Sequence, residues 1–252
     1  MNSSNTNLRA FNLAVQTLLS SPSKFLPHLT IPTFTHLPEN IGAALQDTYP
    51  PQQQAESGSK AQITIRALIL DKDNTLCPAK TTSFPSKIYS KLHDLRTSPT
   101  SAFNINTAPD SILIVSNRAG SHAWYEDEAL EIEERLAGLR IPVFRLPESD
   151  KQGVAVEKKP FCGKEVLNWF RERGVVQSAD EIAVVGDRLG TDVLMASEMG
   201  AWSVWCRDGV GEDLTKGKRN VLEKMEVWVE RFLRESKGLR APPPKGFSGP
   251  RQ

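Results

Sequence analysis

Little in this sequence is available for crosslinking or for holding a soft metal. Of 252 residues, three are cysteine (77, 162 and 206, without close spacing) and four are histidine. That excludes a disulfide framework and a zinc knuckle, and it suits a reducing compartment. A large excess of one charge is missing too: 31 Lys+Arg stand against 30 Asp+Glu, a formal net charge of +1. A chain whose main task is gripping duplex nucleic acid by its phosphates needs a larger basic excess. No uncharged apolar run approaches the roughly 18 residues of a membrane-spanning helix. No internal repeat is visible. His28, His36, His93 and His122 are scattered and suggest no shared site.

What remains is an ordinary globular composition, 39% hydrophobic and 24% charged, enough to bury a real core. The length suits one domain with decorations or two small ones. Before Glu39 no acidic residue occurs. There Leu8, Phe11, Val15, Leu18 and Leu19 recur at helical spacing, and Pro22 ends the pattern. Two readings stand: a helix packed on the domain, or a helix lying at a membrane surface or within a targeting segment. Residues 26–37 are apolar but broken by Pro27 and Pro32, so they read as extended chain. Residues 45–61, rich in Gln, Pro and Ser, read as a flexible connector.

From residue 62 the pattern changes. Short apolar, β-prone runs occur at 63–70, 112–115, 143–146, 182–185 and 202–206. Helical patterns lie between them, around 85–95, 121–138, 163–173 and 190–199. Strands alternating with helices predict an α/β domain, a mainly parallel sheet covered by helices on both faces. The gaps between strands are each largely filled by one crossover helix, so no large cap domain is expected. Leu222, Met225, Val229, Phe232 and Leu233 define a last amphipathic helix. The expected organisation is an N-terminal amphipathic and extended segment with linker (1–61), an α/β domain (62–236) and a disordered basic Pro/Gly-rich tail (237–252).

Polar residues gather where apolar runs stop. Asp71-Lys72-Asp73-Asn74-Thr75 follows the first run and Ser116-Asn117-Arg118 the second. Lys158-Lys159-Pro160 opens a later helix, and Gly186-Asp187-Arg188-Leu189-Gly190-Thr191-Asp192 follows the fourth run. Each alone reads as common turn or helix-cap chemistry. Their joint occurrence at strand ends is harder to explain, because ligands of open parallel sheets sit beyond the carboxyl ends of the strands.

The set resembles the haloacid-dehalogenase-like (HAD) phosphohydrolase superfamily over roughly residues 62–207. Its pattern is Asp-x-Asp-x-Thr, a later Ser/Thr, a Lys, and Gly-Asp-x-x-x-x-Asp. The resemblance implies a Rossmann-like HAD fold and an aspartyl-phosphate intermediate. It makes Asp71 the nucleophile and Asp73 the general acid and base. Mg²⁺ would be held by Asp71, by Asp73 through its backbone carbonyl, and by Asp187, with Asp192 behind them. Thr75, Ser116, Asn117 and Lys159 would contact the phosphoryl group, with Lys158 as the alternative lysine. Arg118 and Arg188 could hold a second anionic group of the substrate, or simply form surface ion pairs.

Finer wording, from Asp71 to Thr75, Ser116-Asn117 and 186–194, is similar to the mitochondrial phosphatidylglycerophosphatases of fungi and plants. The segment 29–34 also resembles that group's entry segment. One departure is Gly190, where many relatives carry a bulkier residue; it bears on the packing of that loop. This resemblance implies hydrolysis of the terminal phosphomonoester of phosphatidylglycerophosphate, in the cardiolipin pathway. It also implies a mitochondrial location, peripheral on the matrix side of the inner membrane. The partners it implies are a phospholipid substrate at a membrane surface and anionic lipids, with no nucleic acid. A phosphoprotein or polynucleotide-end phosphatase is the alternative on the same scaffold. A catalytically silent binding module is a third reading, opposed by the intact set of chemical groups.

Overall fold

The computed structural model describes residues 3–50, 62–117, 124–146, 158–210 and 221–247. Five strands form one all-parallel sheet in the order β1-β5-β4-β2-β3. They are β1 (Leu29–Ile31), β2 (Ala67–Leu70), β3 (Ile112–Ile114), β4 (Ile182–Gly186) and β5 (Trp202–Cys206). The helices are α1 (Ser3–Ser20), α2 (Ile41–Gln46), α3 (Ser86–Thr97), α4 (Trp124–Arg135), α5 (Gly163–Glu172), α6 (Leu194–Met199) and α7 (Val221–Arg231). This is the α/β, Rossmann-like architecture expected from the alternation of strands and helices.

Strands β2 to β5 are short, buried and, apart from Ser203, apolar because both faces of the sheet are covered. Side chains alternate between two cores. Leu68, Leu70, Ile112, Ile114, Ala183 and Val185 face one core, completed by Ile88 and Leu92 of α3 and Ile132 of α4. Ile69, Leu113, Ile182 and Val184 face the other, completed by Val166 and Phe170 of α5 and Met195 of α6. A third apolar cluster joins Leu189, Val193 and Trp205 to Leu13 and Leu18 of α1 and Val229 of α7.

The chain runs from β2 outward to β3, then crosses back over β2 to β4 and continues to β5. The connections therefore diverge between β2 and β4, and loops following those two neighbours frame a crevice. Leu70 pairs with Val185, which sets the ends of β2 and β4 side by side.

Several expectations change in detail. The run at 143–146 gives a single bridge, Val143 to Ile114, not a strand. The Ile114 N–H donates to the Pro142 carbonyl and the Phe144 N–H to the Ile114 carbonyl, while the Val143 N–H, facing away from β3, donates to the Glu133 carboxylate at 2.8 Å. Conversely, 29–31 does more than run extended: it pairs with β5 as a short edge strand between two prolines. Within the segment read as a connector from residue 45, α2 still covers its start, capped by Asn40, which accepts from the Ala43 N–H at 2.9 Å. The helix expected at 190–199 opens with a π-helical turn, Leu189–Val193, before α6.

The tail is the largest difference. Residues 238–247 have the composition of a disordered segment, yet Ala241 is buried and Phe247 packs edge-on against Trp202 at 5.3 Å. Tyr49 donates to the Ala241 carbonyl at 3.1 Å, and His28 Nε2 lies 2.9 Å from the Pro242 carbonyl. Pro and Phe supply apolar contact to an aromatic cluster that only the fold assembles. The irregular stretch 97–111 is likewise anchored, by the fully buried Arg96. Its guanidinium donates to the carbonyls of Leu139, Phe103, Ala108 and Pro109.

Candidate active site

The site begins where β2 stops. The Asp71 N–H donates to the Val185 carbonyl at 2.9 Å, so its side chain projects beyond the sheet next to the end of β4. The chain then folds back: Asn74, at φ +64°, donates its N–H to the Cys77 carbonyl at 2.7 Å and closes a tight loop. Asparagine tolerates this left-handed conformation better than most residues with a side chain. Gly209 (φ +71°) lies flush against it, since a Cβ there would stand 2.8 Å from Asn74 Nδ2.

From the β4 side, Gly186 is followed by Asp187, whose carbonyl accepts from Trp205 Nε1 at 2.8 Å. A Cβ on Gly186 would fall 2.3 Å from Asp192 Cγ, so only glycine lets the next turn bring Asp192 this close. Asp192 Oδ2 accepts from the Arg188 N–H at 3.2 Å, which fixes that carboxylate.

Lys159 enters from the loop before α5. Its backbone N–H donates to Asn117 Oδ1 at 2.9 Å, tying it to the end of β3. Its side chain is buried, and Nζ donates to Asp71 Oδ1 and, at 2.7 Å, to Asp192 Oδ1. Burial alone would lower its pKa, but Asp192 and Asp71 outweigh that and hold it above the usual lysine range. Lys158 is only half-buried. Thr75 Oγ1 lies 3.5 Å from Asp71 Oδ2, and Asn74 Nδ2 donates to Asp187 Oδ2 at 2.8 Å.

Asp71, Asp187 and Asp192 bring carboxylate oxygens within 4.8 Å of one another. Burial first, then neighbouring like charges, pushes Asp71 up to about 7 against the pull of Lys159. Burial and Asp71 push Asp187 well above the ordinary carboxylate range. Three buried carboxylates with one ammonium are short of positive charge. Such a hard, all-oxygen set fits a divalent cation, and the cluster could hold a metal ion. Asp192 gives one oxygen to Lys159 and the other to the Arg188 N–H, Asp71 shares the same ammonium, and Asp187 meets the Asn74 amide.

The expected residues are not all equivalent in place. Asp71, Thr75, Lys159, Asp187 and Asp192 converge, and Asn117 positions the lysine backbone. Ser116 is buried just past β3, two residues after Ile114, which pairs with Leu70. Asp73 stands at the rim: its carboxylate accepts from the Lys80 N–H at 2.8 Å and pairs with Lys72 Nζ at 2.7 Å. Arg188 pairs with Glu226 of α7 at 3.4 Å. Arg118 lies outside the described residues.

Sequence reasoning missed Asn74, Lys72, Glu128 and Glu226. Lys72 is 1% exposed and spans Asp73, Glu128 at 2.5 Å and the Thr81 carbonyl at 3.0 Å. A lysine between two aspartates looks solvated in one dimension. Only the fold of the loop reveals its burial.

A parallel sheet with acidic loops at its switch point and a buried lysine joining them defines a HAD-like phosphatase. The family described as mitochondrial PGP phosphatase matches residues 8–211, and the chain belongs to it. The chain is 34% identical over 221 residues to the phosphatidylglycerophosphatase GEP4, mitochondrial, of Saccharomyces cerevisiae, covering 86% of this chain and 93% of that protein. It is 28% identical over 224 residues to a probable phosphatidylglycerophosphatase, mitochondrial, of Schizosaccharomyces pombe, covering 88% of this chain and 90% of that protein.

Proposed function

We propose that this protein is a Mg²⁺-dependent phosphatase that hydrolyses the terminal phosphomonoester of phosphatidylglycerophosphate to phosphatidylglycerol. The observation that carries the reading is Lys159 Nζ held between Asp71 and Asp192, with Asp187 alongside. This arrangement has a nucleophile, a fixed cation and a carboxylate pair for a metal at one point. The fungal relatives supply the substrate class through their names.

A carboxylate oxygen of Asp71 attacks phosphorus in line with the ester oxygen; the P–O bond to glycerol breaks as the bond to Asp71 forms. Asp73 gives its proton to the departing alkoxide. It then takes a proton from the water that attacks the aspartyl phosphate, which frees inorganic phosphate and restores Asp71. Lys159, with Ser116, Thr75 and Asn117 around it, holds the phosphoryl oxygens while charge shifts between them. Asp71, Asp187 and the Asp73 backbone carbonyl would hold Mg²⁺, which offsets repulsion between the carboxylates and a dianionic phosphate. Asp192 keeps the lysine aimed. Arg188 faces the second, diester phosphate of the substrate.

Among the described residues no helix is long and apolar enough to cross a membrane. Peripheral attachment on the matrix side of the inner mitochondrial membrane, through anionic lipids, accords with that and with the relatives' mitochondrial names. The test is phosphate release from phosphatidylglycerophosphate, a phosphopeptide and a 5′-phosphorylated DNA end, with and without Mg²⁺. Mg²⁺-dependent release from the lipid, at least about a hundredfold faster than from the others, is expected. Preference for the peptide or the DNA end would overturn the substrate assignment in favour of that polymer.

A further inference from the structure

Ten large hydrophobic side chains are exposed among the described residues, and eight of them lie on α1 and on α7 with the turn that follows it. They include Phe11 and Leu19 on one side and Met225, Trp228 and Phe232 on the other, with Trp228 and Phe232 stacked at 5.4 Å. A concentration of exposed apolar surface on two helices marks a contact surface, because scattered exposure needs no explanation and clustered exposure does.

Between the two helices lies a cavity of about 420 Å³. Ala14, Val15 and Leu18 of α1 form one wall and Leu222, Met225 and Val229 of α7 the other. Lys159, Asn117 and Arg188, residues of the site already described, line the same cavity. The Arg188 side chain is 34% exposed there, steadied by Glu226. One cavity thus joins a lysine and an arginine to hydrocarbon-like walls. A ligand matching that lining combines a phosphate, a second anionic group and an alkyl chain.

We infer that this cleft is the subsite for the glycerol backbone and first acyl methylenes of one phospholipid molecule, drawn partway out of the bilayer. The inference rests on the proposed reaction, since the phosphate at Lys159 fixes where the chain must go. An occupant that is not part of the substrate, such as a helix of a second copy, would close the route to Lys159 from this side. Cations suit an anionic surface at the same edge: Arg9 lies over the Phe161 ring and Lys237 over the Phe232 ring, each 5.5 Å from the centroid.

The test uses the full chain and two water-soluble substrates, so that membrane binding plays no part. One is the deacylated headgroup, glycerophosphoglycerophosphate; the other is its dihexanoyl ester below the micellar concentration. In the wild type kcat/KM for the ester exceeds that for the headgroup by at least about tenfold, because the chains bury apolar surface only in the cleft. Ala14→Trp, which fills the cleft, brings that ratio toward one. Met225→Glu, at a half-exposed position that folding tolerates, does the same by charging the wall. A ratio near one in the wild type overturns the inference. So does a ratio unchanged in both variants, or a dimer in gel filtration that Met225→Glu dissociates while the ratio stays. Turnover of neither substrate would strike the proposed reaction itself, and the subsite with it; turnover with a flat ratio strikes the subsite alone.

Discussion

Asn74 Nδ2 donates to Asp187 Oδ2 at 2.8 Å and so joins the loop after β2 to the loop after β4. The two acidic loops, far apart in sequence, are held in one geometry by this amide. Asn74 serves twice, since its φ of +64° also closes the turn that carries Asp73.

Asn74→Gly separates these roles. Glycine accepts the backbone conformation but removes the donor to Asp187. The expected result is a rise in the Mg²⁺ concentration for half-maximal activity of about 10–100-fold, the usual cost of losing a partner behind a metal ligand, with little change in melting temperature. An unchanged Mg²⁺ requirement in an activity titration contradicts the role given to the amide.

Lys72 ties Asp73, the proposed general acid, to Glu128 of α4 at the rim of the site. Burial tends to lower the Lys72 pKa, but hydrogen bonds and charge from Asp73 and Glu128 win and raise it, so the ammonium stays charged. Lys72→Met removes the cation and leaves the two carboxylates near each other. The expected result is a fall in kcat of about 10–100-fold, more for alkyl than for aryl phosphates, whose leaving groups need less protonation. Equal losses on both substrates mean that Lys72 supports only the fold.

His28 fastens the tail to the sheet: Nδ1 lies 2.8 Å from Ser203 Oγ, and Nε2 meets the Pro242 carbonyl. Burial, aided by Arg234, lowers its pKa from 6.5 to about 4, against the raising effect of that carbonyl. The unfolded chain therefore binds the proton more tightly. The stability this neutral imidazole contributes is present above about pH 6.5 and is lost as pH falls toward about 4, roughly 3 kcal/mol in all. Asp71 and Asp187 are shifted upward and contribute in the opposite sense. The difference between wild type and His28→Gln isolates the histidine. Urea unfolding at pH 7 and pH 4.5 tests it: the wild type loses more stability than the variant over that interval, and equal losses contradict the assignment.

Much of the fold is legible in one dimension because strands buried on both faces read as unbroken apolar runs that end abruptly. Asp71 and Gly186-Asp187 stand at two such ends, so the topology brings them together without further information. Lys159 is legible only in combination with them, and its choice over Lys158 needs the geometry that aims one ammonium between Asp71 and Asp192. Other features depend on contacts distant in sequence. β1 is three residues long and becomes a strand only because β5 offers an edge. Glu226 holds Arg188 and Gly190 from a helix whose sequence reports only its apolar stripe. Residues 238–247 look disordered by composition because the aromatic surface that receives them, around Trp202, comes from elsewhere in the chain.

The central claim is that Asp71 takes the phosphoryl group while Lys159 holds it. The most direct measurement is rapid acid quench of the protein turning over phosphatidylglycerophosphate with Mg²⁺, followed by peptide mass analysis. The account predicts an added phosphoryl group on the peptide containing Asp71. It predicts none in Asp71→Asn, whose phosphate release falls at least about a thousandfold while its folded far-UV spectrum is kept. A phosphorylated peptide that lacks Asp71, or appreciable turnover by Asp71→Asn, would contradict it.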